Sequence, residues 1–216
     1  MNGIIQRGRD ILGRESFGLL ILMAVMVFGF SVANPKFLAM PSLSSMGFQA
    51  PLLGVLTLAM LAPMISGGFN LAIIYTANIS ALALAWVLLQ FGGPEAGIGA
   101  LILGSVAALV VGTLAGAVMG VVIAYIGAHP ILVSLAMMIF LRGLGEFLTR
   151  GGDISGFPPS LAVLGHGTLL GVPVPLILFG IVALIWHIML RRSRHGFSVY
   201  MVGSNIRATE YSGIDT

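Results

Sequence analysis

Residues 98–126 read IGALILGSVAALVVGTLAGAVMGVVIAYI. The run contains no Asp, Glu, Lys or Arg. As one helix its roughly 29 residues would extend about 43 Å, more than the ~30 Å hydrocarbon core of a bilayer. Such a segment has to tilt, protrude or break, and Gly99 and Gly104 are its weak points. Within it Ala108, Gly112, Gly116, Gly120 and Ala124 recur at every fourth position. This stripe of small residues lets another helix approach closely, either inside the chain or at a subunit interface. Gly112, Gly116 and Gly120 are therefore read as helix-packing positions.

The rest of the chain agrees with that segment. Of the 216 residues, 58% are hydrophobic and 8% charged, against about 25% charged in soluble domains. So few charges cannot cover a water-facing surface. The class is an all-α polytopic transmembrane bundle. Nine of the ten basic residues are arginines, mostly beside apolar runs, as membrane topology demands rather than nucleic-acid binding. With no cysteine there is no disulfide framework or thiolate chemistry.

The apolar runs divide into about six spans. They are Phe17–Ala33, Ala50–Ile65, a third ending near Gln90, a fourth within Ile98–Ile126, Pro130–Leu148 and Val174–Leu190. Ser31-Val32-Ala33 resembles a signal-peptide cleavage site, but the run is long for one and further spans follow. Residues 34–48 read as a linker, 91–97 as a turn and 149–172 as a structured loop. Arg7, Arg9 and Arg14 precede the first span, and Arg191, Arg192, Arg194 and His195 follow the last. Both ends are expected in the cytoplasm, which an even number of spans allows.

Candidate functional residues interrupt this pattern. Ser66-Gly67-Gly68-Phe69-Asn70 breaks an apolar run, and Asn70, Tyr75, Thr76, Asn78 and Ser80 follow on the next segment. Non-helical backbone at membrane depth persists only inside protein or beside a wet cavity. Two readings stand: a tight turn with interhelical hydrogen bonds, or the polar wall of a path for a hydroxylated solute. On the second, Asn70, Tyr75, Thr76 and Asn78 are the path residues. Arg142 and Glu146 lie four apart on one helix face, as a structural or snorkelled pair or as a gate. The four histidines are scattered, without metal-site spacing; no metal or cofactor is expected. The single lysine, Lys36, lies in no phosphate-binding loop, so nucleotide energy has to come from another subunit. At the end, Ser204 or Asn205 can cap a short helix that Gly213 can close in left-handed geometry.

Four blocks together resemble the permease subunit of bacterial ABC importers for simple sugars, the ribose/xylose/autoinducer-type group. The first is Ile65-Ser66-Gly67-Gly68-Phe69-Asn70-Leu71. The second runs from Ile123 to Gly127, then Pro130, Arg142-Gly143 and Leu148-Thr149. The third is Ile154-Ser155-Gly156 with Pro158 and Leu170–Pro173. The fourth is Arg191-Arg192 through Gly196, then Gly203, Asn205, Ala208, Ser212, Gly213 and Ile214. The likeness covers about residues 50–216. Asn70 stands where the family usually has Asp, and Thr209 where it often has Ala. Family permeases continue further, so the chain resembles the N-terminal two-thirds of one.

The resemblance implies a single permease domain over residues 1–216, with 203–214 as the cytoplasmic segment that couples to an ATPase through Gly203, Asn205, Ala208, Ser212, Gly213 and Ile214. It implies two cytoplasmic ABC ATPase subunits, a periplasmic solute-binding protein and a second permease subunit in the bacterial inner membrane. The expected function is passage of a simple sugar or sugar-like solute, with no enzymatic activity in this chain. Importers of nucleosides or branched-chain amino acids are the neighbouring alternative. A truncated membrane protein that only binds partners is the other.

Overall fold

The computed structural model describes residues 14–34 and 36–216. Arg7 and Arg9 lie outside them. The described elements are α1 (Arg14–Ala33), α2 (Met40–Ile65), α3 (Ile73–Gln90), α4 (Ile98–Ile126), α5 (Pro130–Thr149), α6 (Pro159–His166), β1 (Thr168–Leu169), β2 (Val172–Pro173), α7 (Val174–Arg192), α8 (Arg194–Ser204) and α9 (Ile206–Tyr211). The chain is an all-α polytopic membrane protein. Helices α2, α3, α4, α5 and α7 are long and apolar enough to cross a membrane, and Phe17–Ala33 is a shorter apolar helix.

The chain divides into two compact units between Gly47 and Phe48. In the first, the Phe30 and Phe37 rings lie 5.6 Å apart, and the Asn34 side chain accepts a hydrogen bond from the Lys36 N–H at 3.0 Å. Helix α2 starts at Met40, so residues 40–48 are helical rather than linker. Pro41 reads as a breaker, yet it falls in the first turn, where its missing N–H costs nothing.

In the second unit α3 packs chiefly on α4 and then on α5. Ile79, Ala115 and Leu141, one from each helix, form a buried cluster, with Tyr75, Leu82, Val111, Met137 and Leu144 against it. Helix α4 is unbroken over Ile98–Ile126 and is stopped by Gly127 in left-handed geometry at φ 73°. Gly104 is a contact point rather than a break. A Cβ there would lie 2.6 Å from the Leu84 side chain. At Gly112 the neighbour is the Ser80 hydroxyl, while Gly116 and Gly120 face open space. The stripe thus packs within the chain at Gly112 and leaves its other two glycines uncovered. Many large apolar side chains of α4, including Ile102, Leu109 and Leu114, are exposed, as expected where lipid is the solvent and helix association rests on close packing.

The 149–172 loop contains more structure than its Gly and Pro content suggests. Helix α6 starts with Pro159 in its first turn. A two-residue hairpin follows, pairing Thr168 with Pro173 and Leu169 with Val172. Leu170 and Gly171 both have positive φ, as that tight turn requires.

Candidate functional site

The break between α2 and α3 is a built turn. The Gly67 N–H donates to the Met64 carbonyl, and the Gly68 N–H to that of Pro63 at 2.8 Å. Gly67 has φ 85°. These are the bonds of a Schellman stop, which needs a left-handed residue at that position. The Ser66 hydroxyl also donates to the Pro63 carbonyl. Buried Ser134 of α5 donates to the Phe69 carbonyl at 3.1 Å, so an interhelical bond fixes the turn. Asn70 precedes α3 instead of lying on it. Its side-chain oxygen accepts from the Ala72 N–H at 2.9 Å, an Asx turn that leads into the helix.

Beyond this turn α3 and α5 run side by side, with Gly145 of α5 in contact range of Leu82 and Asn78 of α3. A groove of about 500 Å³ opens between them. Tyr75 and Asn78 line it from α3, Arg142, Glu146 and Thr149 from α5, and Asp153 from the following loop. The Arg142 Nε donates to Glu146 Oε1 at 2.9 Å, and both side chains are more than 60% exposed, at 62% and 63%. Among the described residues the pair is left largely open, although it stands on an apolar helix.

The structure therefore brings Tyr75 and Asn78 together and leaves out Asn70 and Thr76. The Thr76 hydroxyl is buried without a hydrogen-bond partner among the described residues. Four further polar or charged residues line the groove beyond the sequence-derived path set: Arg142, Glu146, Thr149 and Asp153. The first two carried a signal in their spacing, but only the register of α5 against α3 joins them to Tyr75 and Asn78. Groups of His, Asp or Glu able to hold a metal ion are absent among the described residues. The groove offers hydrogen-bond donors and acceptors of both charges, suited to holding a polar solute.

The second feature lies at the turn that precedes α3. Ser193 caps α8, accepting from the Gly196 N–H at 3.0 Å. Gly196 sits against the Leu190 carbonyl so closely that a Cβ would overlap it. Helix α8 thus turns back sharply on α7. Its Gly203 meets the backbone of Ile65 and Ser66, and a Cβ at 203 would fall on the Ile65 carbonyl oxygen. Asn205, rather than Ser204, then caps α9 by accepting from the Ala208 N–H at 3.1 Å. Thr209 is fully buried and its hydroxyl donates to the Asn205 carbonyl at 2.7 Å. Gly213 follows with φ 77°. Of the six residues read as coupling positions, Gly203 touches the α2–α3 turn, while Ala208, Ser212 and Gly213 are exposed and Ile214 is partly buried.

Comparison with known proteins adds three findings. The family described as branched-chain amino acid transport system / permease component matches residues 42–216. The autoinducer 2 import system permease protein LsrD of Enterobacter sp. (strain 638) is 30% identical over 203 residues, which is 91% of this chain and 60% of that protein. Its namesake from Klebsiella pneumoniae is also 30% identical, and that from Photorhabdus laumondii is 28% identical over 206 residues. The chain spans about 60% of the length of these relatives. No solved structure matches.

Proposed function

The chain belongs to the family of branched-chain amino acid transport system permease components, and from that premise we propose that it is the membrane-spanning permease subunit of an ATP-driven importer for a simple sugar or sugar-like solute. The polar groove between α3 and α5 carries the reading. A cleft with Tyr75, Asn78, Arg142, Glu146 and Asp153 in an otherwise apolar helix pair is costly unless it serves a polar solute or a covering subunit. Hydroxyl groups of a sugar can donate to Glu146 and Asp153 and accept from Arg142 and Asn78.

The exposed Arg142–Glu146 pair also supports a second permease subunit, which would cover the groove and shield it from lipid. In this proposal both termini lie in the cytoplasm and the loop holding α6 faces a periplasmic solute-binding protein. Residues 203–214 meet a cytoplasmic ATPase, and the protein resides in the inner membrane. Force on α9 reaches the path through α8, because Gly203 rests on the turn that starts α3. ATP hydrolysis belongs to the partner, so this chain is a transport component rather than an enzyme.

The family description names branched-chain amino acids, and the three relatives cited are named for autoinducer 2. The groove favours a hydroxylated solute, since Leu82 and Leu141 are the only large aliphatic side chains among its walls apart from Ile154. Uptake into ATP-loaded right-side-out vesicles carrying the whole importer, with radiolabelled ribose, xylose and leucine, tests this. ATP-dependent uptake of a sugar that leucine does not compete with is expected. Competition by leucine would move the chain to amino-acid import, and no uptake of any solute would favour a partner-binding role only.

A further inference from the structure

At the end of α7 a second cleft of about 660 Å³ opens between α7, α8 and the residues after α9. We infer that it binds the phosphate of an anionic phospholipid headgroup. Arg191, Arg192 and Arg194 line it, together with Ser198, Phe197 and Ser212. Among the described residues no carboxylate lines it. Arg142–Glu146 is the one ion pair among the described residues, so none of these three guanidiniums has an acidic partner among them. Glu210, the acidic side chain of α9, instead accepts from the Thr216 hydroxyl at 2.9 Å.

Placement selects a lipid phosphate over one free in water. Arg191 and Arg192 form the last turn of α7, a helix fit to cross the membrane, so they stand where lipid phosphates lie. Positive charge beside a span is ordinary; three arginines around one cleft are more than topology requires. The bend into α8 holds them there. Ser193 bridges the Met189 carbonyl and the Gly196 N–H, and Gly196 packs on the end of α7, which fixes Arg194 against the α7 pair. A guanidinium meets phosphate oxygens through two parallel N–H donors. The cleft also has an apolar shoulder. Phe197, which is 60% exposed, and Ile214 line it. Apolar side chains beside charges suit the glycerol and first methylenes of a lipid at the interface, and a bare phosphate has no use for them. The inference rests on the membrane fold and not on the transported solute.

The test is native mass spectrometry of the full chain, delipidated in a neutral detergent. The probes are dioleoyl phosphatidylglycerol, dioleoyl phosphatidylcholine and inorganic phosphate. Phosphatidylglycerol should be retained about tenfold over phosphatidylcholine. The preference should vanish in R191Q/R192Q/R194Q and survive in R150Q, which alters an arginine at the end of α5. Arg194→Gln alone, outside the span, should weaken retention about threefold, which keeps the test valid if the triple variant fails to fold. Equal retention of the two lipids, or a preference unchanged in the triple variant, would overturn the inference. So would displacement of the lipid by equimolar inorganic phosphate, which would mark a free-phosphate site. Unchanged lipid retention with loss of ATPase association would mark a protein contact instead.

Discussion

The groove runs along the first half of α3, the α8 junction rests on the turn just before it, and the two are built from different materials. The groove is made of side chains: Tyr75, Asn78, Arg142 and Glu146 project into an open cleft. The junction is made of backbone: Gly203 presses on the Ile65 carbonyl, and Gly196 on that of Leu190. A side-chain site can exchange one polar group for another and keep its shape. A backbone junction has no such tolerance, because any Cβ enters space already held by a neighbouring main chain. On the proposed function, the first kind of site sets what is bound. The second sets where a whole helix rests.

The sharpest test of this difference is Gly203→Val. The added side chain should cost about 1–3 kcal/mol through overpacking, lower the melting temperature of the detergent-solubilised chain and expose the segment around Arg207 to trypsin. Transport by the assembled importer should be lost. A variant that melts like the parent and keeps its tail protected would show that α8 does not need to rest on the α2–α3 turn.

Much of this organisation is legible in the residues. The 98–126 run is one helix with the boundaries its apolar stretch suggests, Pro130 opens α5, and Asn205 and Gly213 take the cap and left-handed positions their chemistry favours. Local patterns carried these, because each depends on neighbours within a few residues. Three features were not legible. Pro41 concealed an early start to α2, since a proline in the first turn and a proline in a linker look alike in sequence. Helix α6 was hidden in a Gly- and Pro-rich loop for the same reason. The union of Tyr75 and Asn78 with Arg142 and Glu146 depends on how α3 sits against α5, and no local period encodes that register. Gly203 stands out in the sequence only by its place in a pattern. Its steric reason appears only once the Ile65 carbonyl is found beside it.

The groove should respond in the opposite way to the junction. Arg142→Ala removes a partner from an ion pair that is largely exposed within the chain, and such pairs contribute little to stability. The melting temperature should therefore stay close to the parent's. Uptake by the assembled importer should fall about tenfold, the loss expected for a charged hydrogen bond to solute. Glu146→Gln should behave similarly, while R142K should recover part of the uptake. A large drop in melting temperature with uptake unchanged per folded molecule would make the pair a structural strut and remove it from the path.

The smallest effect is expected where the two regions meet. Ser134 is 1% exposed, and its hydroxyl ties α5 to the Phe69 carbonyl of the turn on which Gly203 rests. It lines neither the groove nor the junction. Ser134→Ala leaves that carbonyl without its side-chain donor, at a cost of about 1 kcal/mol, less than Gly203→Val because no backbone has to move. If the turn passes force from α8 to α5, the variant should hydrolyse more ATP per solute moved while binding solute as tightly as before. Measuring hydrolysis and uptake on the same proteoliposomes separates the possibilities. A higher ratio with a small melting shift makes Ser134 part of the link between tail and groove. An unchanged ratio with the same shift confines its bond to holding the turn in place, and leaves the path from Gly203 to run through α3 alone.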